Sequence, residues 1–486
     1  MPLPILRLIG FVIGIFLLAL AASLLVPIGC LLWFERWTEL AGFFHAGLIT
    51  LSAGLALTLP GRPKGVKLRP RDLYFLTVSS WLCVGLFAAL PFCFADALEL
   101  DFTDAFFESM SGITTTGATV LSNLDSVSPG ILLWRSLLHW LGGIGFIGMA
   151  VAILPMLRIG GMRLFQTESS DRSDKPLPRS YRVAQYIVGI YSVLTLLAML
   201  AFYLAGMRPF DAINHAMSAI ATGGFSTSDQ SLAHWTAPAV HWVAVVVMIL
   251  GSLPFALYVA TLRGRLLALL KDQQVRGLFG LLLASWLVLG LWYGLTRNLP
   301  WTDALRHVAL NVTSVVTTTG FSLGDYSLWG GFALMLFFYL GFVGGCSGST
   351  SGGIKIFRFQ VALILLKANL RQLIHPNAVI PQHYNGQPVD EEIVRSILAF
   401  SFFFSICIAV IALGLALLGV DWLAALSAAA ACVSGVGAGL GELVGPSGNY
   451  ASLPVAAKWL LCAGMLIGRL EVITVLVLLS PTFWRH

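Results

Sequence analysis

Thr115-Thr116-Gly117 recurs along the chain as Thr222-Gly223-Gly224, Thr318-Thr319-Gly320 and, less regularly, Gly435-Val436-Gly437. Each triplet closes a Ser/Thr/Ala-rich turn between two long apolar segments, an arrangement by which four turns can form one ring of backbone carbonyls inside a bilayer. Glycine belongs where successive carbonyls face one axis, because that geometry takes φ into regions a β-carbon resists.

The setting of these turns is a membrane. Of 486 residues, 57% are hydrophobic and 11% charged, which excludes a soluble globule with an ordinary polar surface. Apolar stretches of roughly 20 residues recur from end to end, enough to cross the hydrocarbon as helix, and no short alternating pattern points to a barrel. The first apolar run, about 8 to 32, lacks a small-residue cleavage signature and reads as a retained span. Seven scattered cysteines without paired spacing read as small hydrophobes rather than a disulfide frame or metal site.

The net charge of +6 does not point to nucleic acid, because the basic residues are spread between spans. Arg62, Lys64, Lys67, Arg69 and Arg71 crowd one loop, and Arg158, Arg163, Arg172, Lys175, Arg179 and Arg182 the next. Arg263, Arg265, Lys271 and Arg276, then Lys355, Arg358, Lys367 and Arg371, follow. The positive-inside rule makes these loops cytoplasmic. Residues 96 to 130, with Asp96, Glu99, Asp101, Asp104, Glu108 and Asp125 and no Lys or Arg, face outward.

Two opening spans, near 5 to 28 and 39 to 60, precede four units of one plan: span, short amphipathic segment, turn, span. The expected fold class is an all-α integral membrane protein with these units around a central pore. The divisions expected are a two-span region 1–68 and pore repeats 69–160, 161–265, 266–372 and 373–486. First spans are expected near 72 to 95, 183 to 206, 277 to 295 and 394 to 419, second spans near 131 to 157, 236 to 262, 328 to 366 and 454 to 480. The short segments open at Asp104, Asp211, Asp303 and Asp421, where an Asp can cap a helix and favour its positive end. From Asp to the closing glycine is 13 positions in the first two units, 17 in the third and 16 in the fourth, and the third's excess is about one helical turn. Segments so short are re-entrant, and backbone left non-helical at mid-membrane depth is tolerated only when buried in protein or lining a cavity. In the third unit the run Gly344-Gly345-Cys346-Ser347-Gly348-Ser349-Thr350-Ser351-Gly352-Gly353 should open the second span into a loop. Residues 372 to 393 read as the longest polar loop of the second half.

A conducting protein must replace the water oxygens of a cation with others of similar dipole. Neutral carbonyls and Thr hydroxyls suit K⁺, whereas grouped carboxylates suit smaller or divalent ions, and no acid lies in any of the four turns. The candidate K⁺-coordinating residues are therefore Thr115, Thr116, Gly117, Thr222, Gly223, Gly224, Thr318, Thr319, Gly320, Gly435, Val436 and Gly437.

With half-repeats ending in TTTGA, ATGGF, TTTGF and SGVGA, the chain resembles the Trk/Ktr/HKT superfamily of potassium transport proteins, and its two extra opening spans resemble the bacterial Trk-type translocation subunit. The resemblance implies potassium uptake across the bacterial cytoplasmic membrane, with Gly117, Gly224, Gly320 and Gly437 as filter glycines. It also implies that the stretch from Gly344 through Thr350 to Gly353 occludes the pore as an intramembrane gate, and that Arg469 stands beside it as a positive barrier. A membrane homodimer and a cytosolic nucleotide-binding regulatory subunit are implied in the same way. The fourth turn departs from the family form, having Gly435 where Asn is common and Ala438 where Pro is common. On the residues themselves, Arg469 is too costly at its depth to face lipid, Glu471 at i+2 is a poor direct partner for it, and Lys355 reads as an anchor at the cytoplasmic interface.

Two other readings compete. Gly345-Cys346-Ser347-Gly348 matches the GxSG pattern of intramembrane serine proteases, but no mid-span His offers itself as base. His139, His215, His241 and His307 read as core or interface histidines. A symporter coupling K⁺ to H⁺ or Na⁺ needs an ionisable group on the pathway, for which Glu471 is the only nearby candidate. No nucleotide-binding motif is present, so any ATP or NAD that regulates flow must bind a separate cytosolic subunit; the expectation is a transporter and not an enzyme.

Overall fold

A computed structural model describes all residues except 1–2, 64, 67, 96–97, 153–176, 266, 379 and 486, and only the backbone at 70, 150–152 and 177–183. The boundary expected at 160/161, with Lys64, Lys67, Asp96, Arg158, Arg163, Arg172 and Lys175, lies outside the described residues.

Among the described residues, seven helices are long and apolar enough to cross a membrane, or up to nine if two sharply bent pairs count as one span each. The chain is thus a multi-pass, helical membrane protein. Helix Leu3–Ser23 runs on through Leu25–Trp33, and Leu40–Thr58 returns beside it. The two backbones cross closely, since a Cβ on Gly14 would lie 3.0 Å from the carbonyl oxygen of Gly54.

Four short helices follow at the expected places: Phe102–Ile113, Pro209–Ile220, Trp301–Val316 and Trp422–Ser434. Their lengths are 12, 12, 16 and 13 residues, so the extra spacing of the third unit is one added turn of helix. The role expected of the opening aspartates holds only once. Asp421 is an N-cap, accepting from the Leu423 amide, whereas Asp104, Asp211 and Asp303 stand inside the first turn. In the first short helix the cap is Asp101, which accepts from the Asp104 amide at 2.8 Å. The other three still place a carboxylate at the positive end of the helix dipole.

The second spans pack their backbones against these helices. A Cβ at Gly142 would fall on the carbonyl of Ile113, one at Gly251 on that of Ile220 and one at Gly468 on that of Val433. Among the described residues only the first of these spans is continuous, as Pro129–Ala152. The second was expected unbroken over 236 to 262, but bends by 89° between Pro238–Ser252 and Phe255–Leu262, where Pro254 removes an amide donor. The fourth was expected unbroken over 454 to 480, but bends by 115° between Val455–Arg469 and Val472–Leu479 at Glu471, whose φ is +63°. The third opens, as its Gly/Ser density implies, between Gly331–Leu340 and Ile356–Ile374. Residues 372 to 393 are not all loop: His383–Tyr384 pairs antiparallel with Gln387–Pro388 as a small hairpin.

Candidate functional site

The four turns share one local backbone. Thr115, Thr222, Thr318 and Gly435 have φ of +53°, +50°, +56° and +75°, and two residues on, Gly117, Gly224, Gly320 and Gly437 have φ of +83°, +86°, +90° and +81°. Three of the first set carry side chains in a conformation that only over-determined surroundings sustain. The irregular fourth turn therefore has the same shape as the others, with Gly435 in place of a strained threonine.

The turns also meet one another. A Cβ on Gly117 would strike the Gly223 carbonyl oxygen, one on Gly224 that of Thr319, one on Gly320 that of Val436, and one on Gly437 that of Thr116. The sequence of contacts closes on itself after four steps. The structure thus brings all four triplets together in one interlocked ring, at the C-terminal ends of the four short helices.

Each turn is braced by a side chain that motif reading does not single out. Glu108 accepts the Val120 amide and the Thr119 hydroxyl, both at 3.0 Å. His215 Nε2 lies 2.9 Å from Ser226 Oγ. Asn311 both donates to the Leu323 carbonyl (3.2 Å) and accepts the Leu323 amide (2.9 Å), and Ser427 does the same with Leu440 (3.2 and 3.0 Å). These residues stand nine positions before the closing glycine in the first three units and ten in the fourth. Because Glu, His, Asn and Ser share no motif, only the spacing carried a signal.

Glu108 was read as an outward-facing acid, but it is buried within the first short helix and takes Arg135 Nε at 2.6 Å. Arg135 in turn donates to the Ser226 carbonyl at 3.1 Å and lies 4.0 Å from the Phe225 ring centroid, so one ion pair ties the first turn to the second. His139 stacks on the other partner of this contact, Phe225, at 4.1 Å, and its Nδ1 is 3.0 Å from Ser218 Oγ. Its ring also fills the space that a Cβ on Gly223 would need.

Directly against the short-helix ends lies the Gly/Ser-rich segment. Thr350 Oγ1 donates to the carbonyls of Gly251 (2.9 Å) and Ile220 (3.0 Å), and Ser351 Oγ to that of Thr317 (2.6 Å). The Gly352 amide donates to Thr318 Oγ1 at 2.8 Å, and Gly352 abuts the Ser434 carbonyl. The segment therefore touches the ends of the second, third and fourth short helices at once. Around it, the Gly345 amide donates to Ser351 Oγ, the Cys346 amide to the Ser252 carbonyl, the Ser347 amide to Gln274 Oε1 and the Phe255 amide to the Gly348 carbonyl, while Ser349 Oγ donates to the Cys346 carbonyl. Gly344 takes φ of +71° at the point where the segment leaves the helix. Cys346, Ser347, Ser349, Thr350 and Ser351 are all buried.

Arg469 reaches this segment. Its guanidinium donates to the Thr350 carbonyl at 2.8 Å and to the Gly142 carbonyl at 3.4 Å, over the Phe146 ring. Glu471 is not its partner: Glu471 accepts instead from Arg358 Nη2 at 2.6 Å, both side chains being buried. Two basic residues assigned to a cytoplasmic loop are thus inside the protein. Arg358 is 1% exposed and Lys355, read as an interface anchor, is 2% exposed, whereas Lys367 and Arg371 are exposed. The reversal at Lys355 follows from its φ of +71°, which turns the chain inward as helix Ile356–Ile374 begins. A small cavity between the first and fourth turns is lined by Thr116, Gly352, Lys355, Gly435, Arg469 and Glu471.

Four re-entrant helices converging on one ring of strained turns, inside a shell of apolar spans, define a multi-pass membrane protein of the pore-loop type. Residues 40–485 match the TrkH family model, described as a cation transport protein. The chain is 50% identical to the Trk system potassium uptake protein TrkI of Halomonas elongata, over 98% of this chain and 96% of that protein. It is 35% identical to the Trk system potassium uptake protein TrkH of Escherichia coli, over 99% of both. The crystal structure of the potassium transporter TrkH from Vibrio parahaemolyticus superposes with a TM-score of 0.91 at 34% identity, covering 99% of this chain and 100% of that one. The chain belongs to the TrkH family.

Proposed function

We propose that this protein carries potassium ions into the cell across the cytoplasmic membrane, as a transporter and not an enzyme. In this reading the ion passes the ring formed by Thr115 to Gly117, Thr222 to Gly224, Thr318 to Gly320 and Gly435 to Gly437, each contributed by one of four repeats (69–160, 161–265, 266–372 and 373–486). The segment 344–353 is the gate below it and Arg469 its latch. The exposed basic residues Lys367 and Arg371 mark the cytoplasmic side. A second copy of the chain and a cytosolic nucleotide-binding subunit complete the assembly, a reading supported by relatives that are named as parts of a Trk system.

The observation that carries the proposal is the closed cycle of glycine-to-carbonyl contacts, which supplies neutral oxygens from four sides. The decisive test is Gly320→Ser in cells lacking their own potassium uptake. Rb⁺ uptake or the K⁺/Na⁺ ratio should fall, and wild-type values for both would remove the ring from the pathway. Symport is the second reading, favoured by the Oε1 of Glu471, which has no hydrogen-bond partner among the described residues although the residue lines the cavity below the ring. Proton or Na⁺ movement locked to Rb⁺ uptake in proteoliposomes would establish it. The protease reading of Ser347 draws no support from the histidines at hand: His139 bonds Ser218, His215 bonds Ser226 and His241 bonds the Leu232 carbonyl.

A further inference from the structure

Two of the broken spans bring a non-glycine residue with left-handed backbone to the same cavity. Lys355 stands where the third span resumes after its loop, and Glu471 stands at the 115° bend of the fourth. Such strain persists only where the surroundings over-determine it, and its clustering marks function rather than accident. Here it delivers two opposite charges to the space beneath the ring.

The two charges are not spent on each other. Arg358 occupies one oxygen of Glu471, and the other has no partner among the described residues. The Lys355 Nζ likewise has no hydrogen-bond partner among the described residues and rests 4.6 Å from the centroid of Phe146, the ring that Arg469 also covers. Three basic side chains therefore share a buried region with one carboxylate. A buried ammonium without oxygen partners is far costlier than one that is paired, so a purely structural lysine would be expected to end on a carbonyl or a carboxylate. This one ends in the cavity lined by Thr116 and Gly435 of the ring and by Gly352 of the loop.

We propose that Lys355 is a tethered rival of the transported cation. An ammonium is a compact monovalent charge that makes the same demand on oxygens as K⁺, and while it holds the cavity an ion descending from the ring meets a like charge. Entry requires the side chain to leave the cavity. Because Lys355 ends the loop, any movement of the segment carries the ammonium with it, so opening removes a plug and a charge together. This inference rests on the transport reading of the ring.

The test measures Rb⁺ flux and current against voltage in proteoliposomes for the wild type, Lys355→Met and Lys355→Arg, with size-exclusion chromatography as the check on folding. The wild-type current is expected to be blocked in a voltage-dependent way; the methionine variant should raise Rb⁺ flux at low concentration on the order of tenfold and lose that dependence, while the arginine variant keeps it, and a wild type without it overturns the rival. Lys355→Gln replaces the methionine variant if the latter is not monodisperse. Wild-type flux and voltage dependence in the neutral variant would overturn the rival, as would equal loss of the voltage dependence in the arginine variant. A wild type that carries no Rb⁺ at all defeats the transport reading instead.

Discussion

At position 223 the chain has no space for a methyl group, and the reason lies 84 residues upstream. His139 presses its ring against the Gly223 backbone while stacking on Phe225 and bonding Ser218. Gly223→Ala forces two well-packed groups apart, at a cost of about 1–3 kcal/mol. The expected outcome is a lowered thermal midpoint of the solubilised protein together with reduced Rb⁺ uptake. His139→Ala in the same chain should recover part of the stability, and if the double variant is no better than Gly223→Ala alone, the contact is not the cause. The glycine was legible as a member of a recurring triplet. The histidine was not, because a buried histidine acquires its role from what the fold sets beside it.

The short helices and their turns were readable because local chemistry and spacing agree: polar starts, apolar bodies and glycine ends recur in order. The third-span loop was readable for the same reason, since ten residues of Gly, Ser, Thr and one Cys cannot sustain a helix. The bend at Glu471 was hidden, because Leu470 and Val472 continue the apolar pattern on either side and no Pro stands between Pro454 and Pro481. The braces Glu108, His215, Asn311 and Ser427 were hidden differently, since four chemistries perform one task. Lys355 was misassigned because a loop-end lysine looks the same in sequence whether the backbone turns it outward or in. The hold on the loop rests most on Thr350, whose hydroxyl joins the carbonyls of both Ile220 and Gly251. Thr350→Val keeps the shape but removes that donor, leaving buried acceptors short of a partner at about 1–3 kcal/mol. Rb⁺ flux should rise, as it should when residues 346 to 351 are shortened. A flux equal to the wild type in both variants would move the gate elsewhere.

Across the whole molecule, a run of polar contacts links the aqueous hairpin to the buried loop. Asn385 accepts the Gln273 amide at 2.9 Å and donates to Asp272 at 2.8 Å, and the next residue, Gln274, accepts the Ser347 amide at 2.7 Å. Tyr384 closes the other side, donating to Gln360, whose amide donates to the Gln273 carbonyl at 2.7 Å. Gln274→Ala removes the side-chain acceptor of the Ser347 amide in a buried site and cuts the run at one place. The expected result is faster hydrogen exchange at residues 346 to 349 than in the wild type with the hairpin unaffected; matching exchange in the loop would show that Gln274 does not hold it.

The cyclic seating of the turns has one more consequence. Each turn is buttressed by its successor, so none can widen, tilt or be redesigned by itself, and the first breach forfeits what the remaining three contribute. Damage at two glycines should therefore hardly exceed damage at one, and any viable change of aperture must be made in adjoining members simultaneously.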